Sequence, residues 1–297
     1  MNKTIRTFKY SILAIMLLGA AALMWGFLLE PNLLLVNNYD LKIKNWNPAL
    51  NNFKIVAIGD IHAGSNFINE RKIRRIVAEA NAQDADVIVL LGDYVSESLI
   101  DHSKLNMPVE TIAENLKGLR ARYGVFAVMG NHDGYFNIPE IRKSLTDEGY
   151  KVLENEAVSI EKNGQKLRIV GLPDLLSTNT PDNGIPNAKA GLDRLENKEG
   201  NIIVLAHNPD DIASVTGSVY LSPDLVLFLA AHTHGGQVRV PFFGALIVPT
   251  QMGRKYAAGH FVYEGIDCFV TMGIGTSILP VRFAAPPEIS VLNISSQ

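Results

Sequence analysis

Phe53-Lys54-Ile55-Val56-Ala57-Ile58-Gly59-Asp60-Ile61-His62 is an apolar run with β-branched residues that ends in glycine and then presents an aspartate and a histidine. A run of this length bounded by turn residues suits a buried strand. The pattern recurs. Asp86-Val87-Ile88-Val89-Leu90-Leu91 leads into Gly92-Asp93, and Val125-Phe126-Ala127-Val128-Met129 leads into Gly130-Asn131-His132-Asp133. Between the first two runs Ile73, Ile76, Val77 and Ala80 fall at helical spacing. Arg71, Lys72, Arg74, Arg75 and Glu79 take the other face, which reads as solvated rather than as a binding site. Strand, helix, strand, helix in this order predicts parallel pairing with right-handed crossovers, an α/β fold. Further strands are expected at Lys166 to Val170, Asn201 to Leu205 and Leu225 to Ala230. Beyond residue 236 short apolar pieces alternate with Gly and Pro without a helical period, predicting a mainly β carboxy-terminal part.

In open α/β sheets ligands gather where strands end. The strand at Asn201 runs into Ala206-His207-Asn208-Pro209, and the one at Leu225 into Ala231-His232-Thr233-His234-Gly235-Gly236. Five strands thus deliver ligand-type side chains at the same end. Any one of them has a plain explanation, since Asp after Gly makes turns and His caps strands. Turn chemistry does not account for all five together. Oxygen and imidazole donors without thiolate suit Mn²⁺, Fe or Zn²⁺, manganese foremost, at a hydrolytic centre. Two such ions about 3.5 to 4 Å apart bind phosphoryl oxygens and offset charge in an in-line displacement. The pair needs a bridging carboxylate, and the departing alkoxide needs an acid that is not tied up as a ligand.

The ordered blocks D-x-H, G-D, G-N-H-D, a lone His and H-x-H resemble the calcineurin-like metallophosphoesterases, over about residues 53 to 293. The wording His232-Thr233-His234-Gly235-Gly236-Gln237, followed by Leu279-Pro280-Val281-Arg282-Phe283 and Pro286-Pro287-Glu288-Ile289, looks like the bacterial membrane-associated branch. Ala231 departs from the family's usual Gly, a change that matters only if the backbone there has positive φ. The resemblance implies a four-layer α/β/β/α sandwich with two mixed sheets. It implies that Asp60, His62 and His234 hold one metal, that Asn131, His207 and His232 hold the other, and that Asp93 bridges them. His132 then takes the role of the acid that protonates the leaving oxygen, and Asp133 either orients His132 or closes the turn.

The amino terminus carries a different signal. Tyr10 to Leu29 is a stretch without a charge, long enough to span a bilayer as a helix, preceded by Lys3, Arg6 and Lys9 and closed by Glu30-Pro31. Ala20-Ala21-Ala22 offers a signal-cleavage site, but cleavage would leave Leu23 to Leu29 as an apolar terminus, so an uncleaved anchor is expected. No cysteine lies near residue 20 for lipid attachment. Lys/Arg before the span slightly outnumber Lys42 and Lys44 after it, which predicts a cytoplasmic amino terminus and an external catalytic domain on a bacterial inner membrane. The expected organisation is a basic segment 1–9, an anchor 10–29, a spacer with a first edge strand 30–52, and a catalytic domain 53–297.

The 297 residues, 47% of them hydrophobic, suffice for a full core, and a net charge of −3 gives no basic surplus for nucleic acid. Cys268, the one cysteine, excludes an internal disulfide and reads as a buried strand residue. His102 is expected in a polar loop and His260 on a strand. Arg254 and Lys255 are expected in solvent rather than on a substrate phosphate, Asp174 in a turn or lining the cleft, and Ser177 to Gly191 in a surface excursion near the site. Pro241 to Pro249 forms either an apolar lip that admits lipid tails or a hairpin packed into the second sheet.

The function expected is hydrolysis of a phosphate ester, lipid-linked or close to the membrane. A variant is cleavage of the pyrophosphate in UDP-2,3-diacylglucosamine, as related family members do. A reading of another class is a non-catalytic receptor or scaffold on the same fold, but a decayed site loses ligands and every expected ligand is present here.

Overall fold

Apolar side chains divide into three layers of core separated by two sheets. The structure, a computed structural model, describes residues 3–98, 101, 104–174, 176, 187–217 and 224–297. His102 and residues 177–186 of the expected surface excursion lie outside the described residues.

In chain order the strands are β1 (Leu35–Ile43), β2 (Phe53–Ile58), β3 (Val87–Leu91), β4 (Val125–Val128), β5 (Lys151–Val152), β6 (Glu156–Lys162), β7 (Gln165–Gly171), β8 (Asn201–Leu205), β9 (Leu225–Ala230), β10 (Arg239–Val240), β11 (Gly244–Ala245), β12 (Gly259–Tyr263), β13 (Ile266–Val270) and β14 (Glu288–Ser296). The helices are α1 (Lys3–Met24), α2 (Glu70–Asn81), α3 (Val109–Leu116), α4 (Asn131–Phe136), α5 (Ile138–Asp147), α6 (Ala188–Asp193) and α7 (Ile212–Gly217). One sheet runs β1-β14-β2-β3-β4-β5 and the other β12-β13-β9-β8-β7-β6. Both are mixed. The inner strands β2, β3 and β4 pair in parallel, as do β7, β8 and β9, while β14 meets β2 and β6 meets β7 antiparallel.

Alternation along each strand sends one set of side chains between the sheets and the other under helices. Ile55, Ala57, Val89 and Phe126 from the first sheet meet Ile169, Ile203, Leu227 and Phe269 from the second. Val56, Ile58, Ile88 and Leu90 pack under α2, α3 and α5, and Ile202, Val204 and Phe228 pack with Leu192 of α6 and with Ile212 and Val215 of α7. The result is the four-layer α/β/β/α sandwich.

Two expectations about particular segments change, and a third, the first edge strand within residues 30–52, is found as β1 and extended. Lys72 is not on the solvated face of α2: it is 6% exposed, and its ammonium donates to the carbonyls of Asn32 and Leu33, 2.7 Å each. Burial lowers its pKa to about 8. Residues 30–52 do more than space the domain. Through Leu41, Ile43, Trp46 and Leu50 they enter the inter-sheet core, and β1 pairs in parallel with β14 along its whole length. The 241–249 run is not packed into the second sheet; β10 and β11 form a separate two-stranded hairpin with an exposed tip.

Ahead of the domain, residues 7–32 are helical, long and apolar enough to cross a membrane. Helix α1 ends in a π-helical turn at Trp25–Leu29 and a short 3₁₀ turn at Glu30–Asn32.

Candidate metal centre

The turns that follow β2, β3 and β9 share a backbone feature. Asp60, His62, Asp93, His232 and His234 all have positive φ, between +46° and +70°. L-residues avoid this region, at a cost of order 1–3 kcal/mol each, so it persists only where surrounding bonds hold it. The bonds are present. Asp60 N donates to Gly92 O (3.0 Å) and His62 N to Asp93 O (2.9 Å). Asp133, fully buried, accepts from the backbone N–H of Gly130, Asp93, Tyr94 and Val95. Asp133 is therefore the clamp of two turns. Its bonds run to backbone amides and not to the His132 ring, which selects the turn-closing role over the orienting one.

The ligand-type atoms converge in two groups. Asp60, His62 and His234 bring one atom each to within 4.8 Å of one another, and Asp93, His207 and His232 do the same. His62 Nδ1 faces Val95 O at 3.1 Å and His207 Nδ1 faces Leu91 O at 2.7 Å. A carbonyl only accepts, so in the neutral ring Nδ1 carries the hydrogen and the Nε2 lone pair is left for a cation. Those Nε2 atoms lie 3.2 Å from His234 Nε2 and 3.1 Å from His232 Nδ1 respectively. Asn131 Oδ1 completes the second group, 3.1 Å from His207 Nε2. Asp93 Oδ2 stands between the groups, 3.5 Å from His62 Nε2 and 3.2 Å from His207 Nε2. Its other oxygen accepts from His132 N at 2.9 Å.

The donor set fits a pair of cations. Asp60 Oδ1 accepts from His232 N at 2.9 Å, but Oδ2 is buried with no hydrogen-bond partner. A buried carboxylate oxygen without a partner is costly unless positive charge is supplied. The proton affinities agree. Burial pushes Asp60 up to about 7, and it takes His62 down to about 3 and His232 to about 4, with His234 also well below the usual histidine range. His207 goes the other way: burial opposes its charged form, but the Asp93 carboxylate outweighs it. Asp93 lies well below the carboxylate range, with burial opposing and His207 foremost among the groups that lower it.

His132 starts the second turn-and-helix unit beside Asn131 but differs from the ligands. Its side chain is 24% exposed, its ring stands edge-on to His62 at 4.8 Å between centroids, and Nε2 lies 3.4 Å from Ser277 Oγ. One of its nitrogens also falls within 4.8 Å of ligand atoms of His62 and Asp93, so it borders the centre.

Several residues here escaped sequence reading. Glu97 Oε1 comes 4.0 Å from His132 Nδ1, and the Tyr135 ring lies 5.7 Å from the His132 ring. Neither sits in a distinctive motif. Arg282 is fully buried, donates to the carbonyls of Met272, Gly275 and Ala285, and places Nη2 3.3 Å from His234 Nδ1. An arginine inside the apolar run Val281 to Ala285 was the signal available. The remaining candidates fall into place as structure. Cys268 is buried on β13 and His260 on β12 bonds Asp267 at 2.7 Å. Arg254 and Lys255 are exposed. Asp174 is buried and accepts from Leu176 N at 2.7 Å in a turn. Ala231 is not among the positive-φ residues, and its methyl occupies the space that a side chain at Gly59 would need.

Comparison with known proteins places this arrangement. Residues 53–236, more than half of the chain, match the calcineurin-like phosphoesterase family. The Bacillus subtilis metallophosphoesterase YkuE is 29% identical over 90% of this chain and 88% of its own length. The Escherichia coli phosphodiesterase YaeI is 31% identical over 82% of each. A transmembrane protein with a metallophosphoesterase domain from Danio rerio is 27% identical over 96% of this chain, which spans 62% of it. Among solved structures, the Haemophilus influenzae NAD nucleotidase superposes with a TM-score of 0.50 at 12% identity, covering 75% of this chain and 45% of that one, a likeness of fold alone. With the ligand turns, their order and these relatives in agreement, the chain belongs to the calcineurin-like phosphoesterase family and is a metal-dependent hydrolase of phosphoric ester bonds.

Proposed function

We propose that the protein is a membrane-anchored phosphodiesterase or phosphatase that acts on a lipid-linked or membrane-proximal phosphate ester through a two-metal centre. The observation that carries the chemistry is the buried, orphaned Oδ2 of Asp60, a member of the Asp60, His62 and His234 group, with Asp93 standing between that group and His207. Asp60, His62 and His234 would hold one ion and Asn131, His207 and His232 the other, with Asp93 shared between them. When bound, two divalent ions, manganese foremost, neutralise phosphoryl charge and activate water. His132, exposed on one side and free of ligand bonds to carbonyls, gives its proton to the departing alkoxide. Asp133 contributes by fixing the Gly92–Val95 and Gly130 turns that aim Asp93 and Asn131.

The membrane side of the reading rests on the apolar 7–32 helix and on the transmembrane relative from Danio rerio. Lys3, Arg6 and Lys9 before the uncharged stretch 10–29 favour a cytoplasmic amino terminus and an external, periplasmic catalytic domain at the inner membrane. The likeness to the Escherichia coli phosphodiesterase YaeI supports a diester substrate.

The test is to load purified full-length protein with Mn²⁺ and offer it bis-p-nitrophenyl phosphate, a membrane lipid extract and a panel of nucleotide esters. Turnover of the diester and consumption of one lipid component are expected. A folded, metal-loaded protein that consumes none of them would favour a receptor or scaffold.

A further inference from the structure

The end of the apolar helix is built into the catalytic domain rather than strung to it. Gly26 is buried against Val281 and Phe283, and its carbonyl accepts from Arg282 N at 2.9 Å. Glu30, 2% exposed, accepts from Ala284 N (3.0 Å), from Ala285 N (2.6 Å) and from the Trp25 indole. Lys72 of α2 holds the carbonyls of Asn32 and Leu33. With no flexible joint after the span, whatever surface adjoins residues 25–30 sits at a fixed height above the bilayer.

Two loops adjoin it. Asn66 Nδ2 lies 3.4 Å from Phe27 O and 3.5 Å from Pro280 O, so the 277–283 loop runs beside the helix end. The β10–β11 hairpin is fastened to that loop: Gln237 Nε2 donates to Ser277 O and Leu279 O, Ser277 N donates back to Gln237 Oε1, and Arg239 N donates to Phe283 O. Both loops present large apolar side chains to the outside. Phe242 is fully exposed, Ile278 85%, Ile247 81%, Phe243 77%, Leu279 58% and Leu246 52%. Soluble surfaces scatter such residues singly, whereas six of them on two loops tied to each other mark an interaction site. Basic groups flank it, with exposed Lys255 next to Arg254, whose guanidinium donates to Ala245 O of the hairpin. Aromatic tips with cationic flanks are the pattern of groups that settle in a lipid interface. The same 277 loop touches the mouth of the metal centre through Ser277 and His132.

We infer that the 241–247 hairpin tip and Ile278–Leu279 form a second membrane contact, seated in an anionic lipid interface beside the helix end, that holds the His132 side of the metal centre against the leaflet. The inference rests on the reading of the amino-terminal helix as an anchor and adds a surface and an orientation to it.

Environment-sensitive labels on single introduced cysteines in the full-length protein test it. Native Cys268 is buried, with its thiol pushed up to about 12, so label goes to the introduced site. The variants are Phe27→Cys, Phe243→Cys, Ile278→Cys and Val262→Cys, the last an exposed apolar position on β12. Each is placed in nanodiscs of phosphatidylcholine and phosphatidylglycerol with or without nitroxide-bearing lipid. Quenching is expected at 27, 243 and 278 and not at 262. Quenching at 27 alone would leave the anchor standing and overturn the second contact; no quenching at 27 would overturn both. Labels at 243 and 278 shielded from aqueous iodide yet unquenched by lipid would assign the patch to a protein partner or a second copy, again overturning the inference. In parallel, Phe242→Asp/Phe243→Asp is expected to slow hydrolysis of a lipid-borne phosphodiester in the same nanodiscs about tenfold, from lost apolar burial, with bis-p-nitrophenyl phosphate unaffected. Equal rates on the lipid-borne ester would contradict a role in presenting substrate.

Discussion

At the ends of β2, β3 and β9 the side chains of Asp60, His62, Asp93, His232 and His234 are at most 8% exposed, on left-handed backbone held by amide bonds to neighbouring turns. A ring's width away, His132 shows 24% of its side chain and meets Ser277 and Glu97 at only 3.4 and 4.0 Å. The ligand turns are buried, strained and over-determined, as suits groups that hold charge at fixed positions. His132 is loosely held at the edge, as suits a group that gains and loses a proton. In the proposed reading, holding metal and moving protons fall to separate regions, although Asn131 and His132 are adjacent in the chain.

The largest effect should come from the middle of the buried region. Asp93→Ala removes the carboxylate shared by both ligand groups, and metal content and activity should fall together to background, read by elemental analysis and turnover. Next, His132→Ala should slow alkyl ester hydrolysis by roughly 10² to 10⁴-fold while the ligand turns stay intact.

Acidity should separate the regions as well. A cation competes with the protons on Asp60 and His207, so metal affinity should weaken as pH falls below about 7, with protons released on reloading. In the metal-free fold Asp60 is raised from 3.8 to about 7 by burial, so its contribution to stability is present below the unfolded value and lost as pH rises through 7. Thermal melts with and without chelator should therefore diverge as pH increases from 5 to 8, and parallel curves would contradict a buried, uncompensated Asp60. The smallest effect is expected at Glu97, exposed by 21% beside His132. Glu97→Gln should lower kcat less than tenfold but move the pH profile of turnover, a change that a purely structural role would not produce.

Much of the candidate ligand set was legible because parallel strands export their chemistry to one end, and the first three announce themselves by an apolar run closed with glycine. Gly130 illustrates why: a Cβ there would collide with Asp93 Oδ1, so the spelling Gly-Asn-His-Asp records a packing contact as well as a ligand. What stayed hidden depends on contacts remote in sequence. β1 joins the sheet through β14 at the far end of the chain, Lys72 is buried by carbonyls of the 30–33 turn, and Glu30 is fixed by amides of Ala284 and Ala285. Helical periodicity placed Lys72 on the solvated face because it cannot see a turn packing over it from outside the helix. Asp133 carried two readings in the sequence, and only the amides around it distinguish a clamp from an orienting group.

The separation of the two regions is tested most directly by metal analysis of His132→Ala, paired with its rates on nitrophenyl and alkyl esters. About two metals per chain should remain, as in the unaltered protein, and the nitrophenyl ester, whose leaving group departs without a proton, should be much less impaired than the alkyl ester. A variant that loses its metals, or that is slowed equally on both esters, would contradict the assignment of His132 to proton transfer and place it among the ligands.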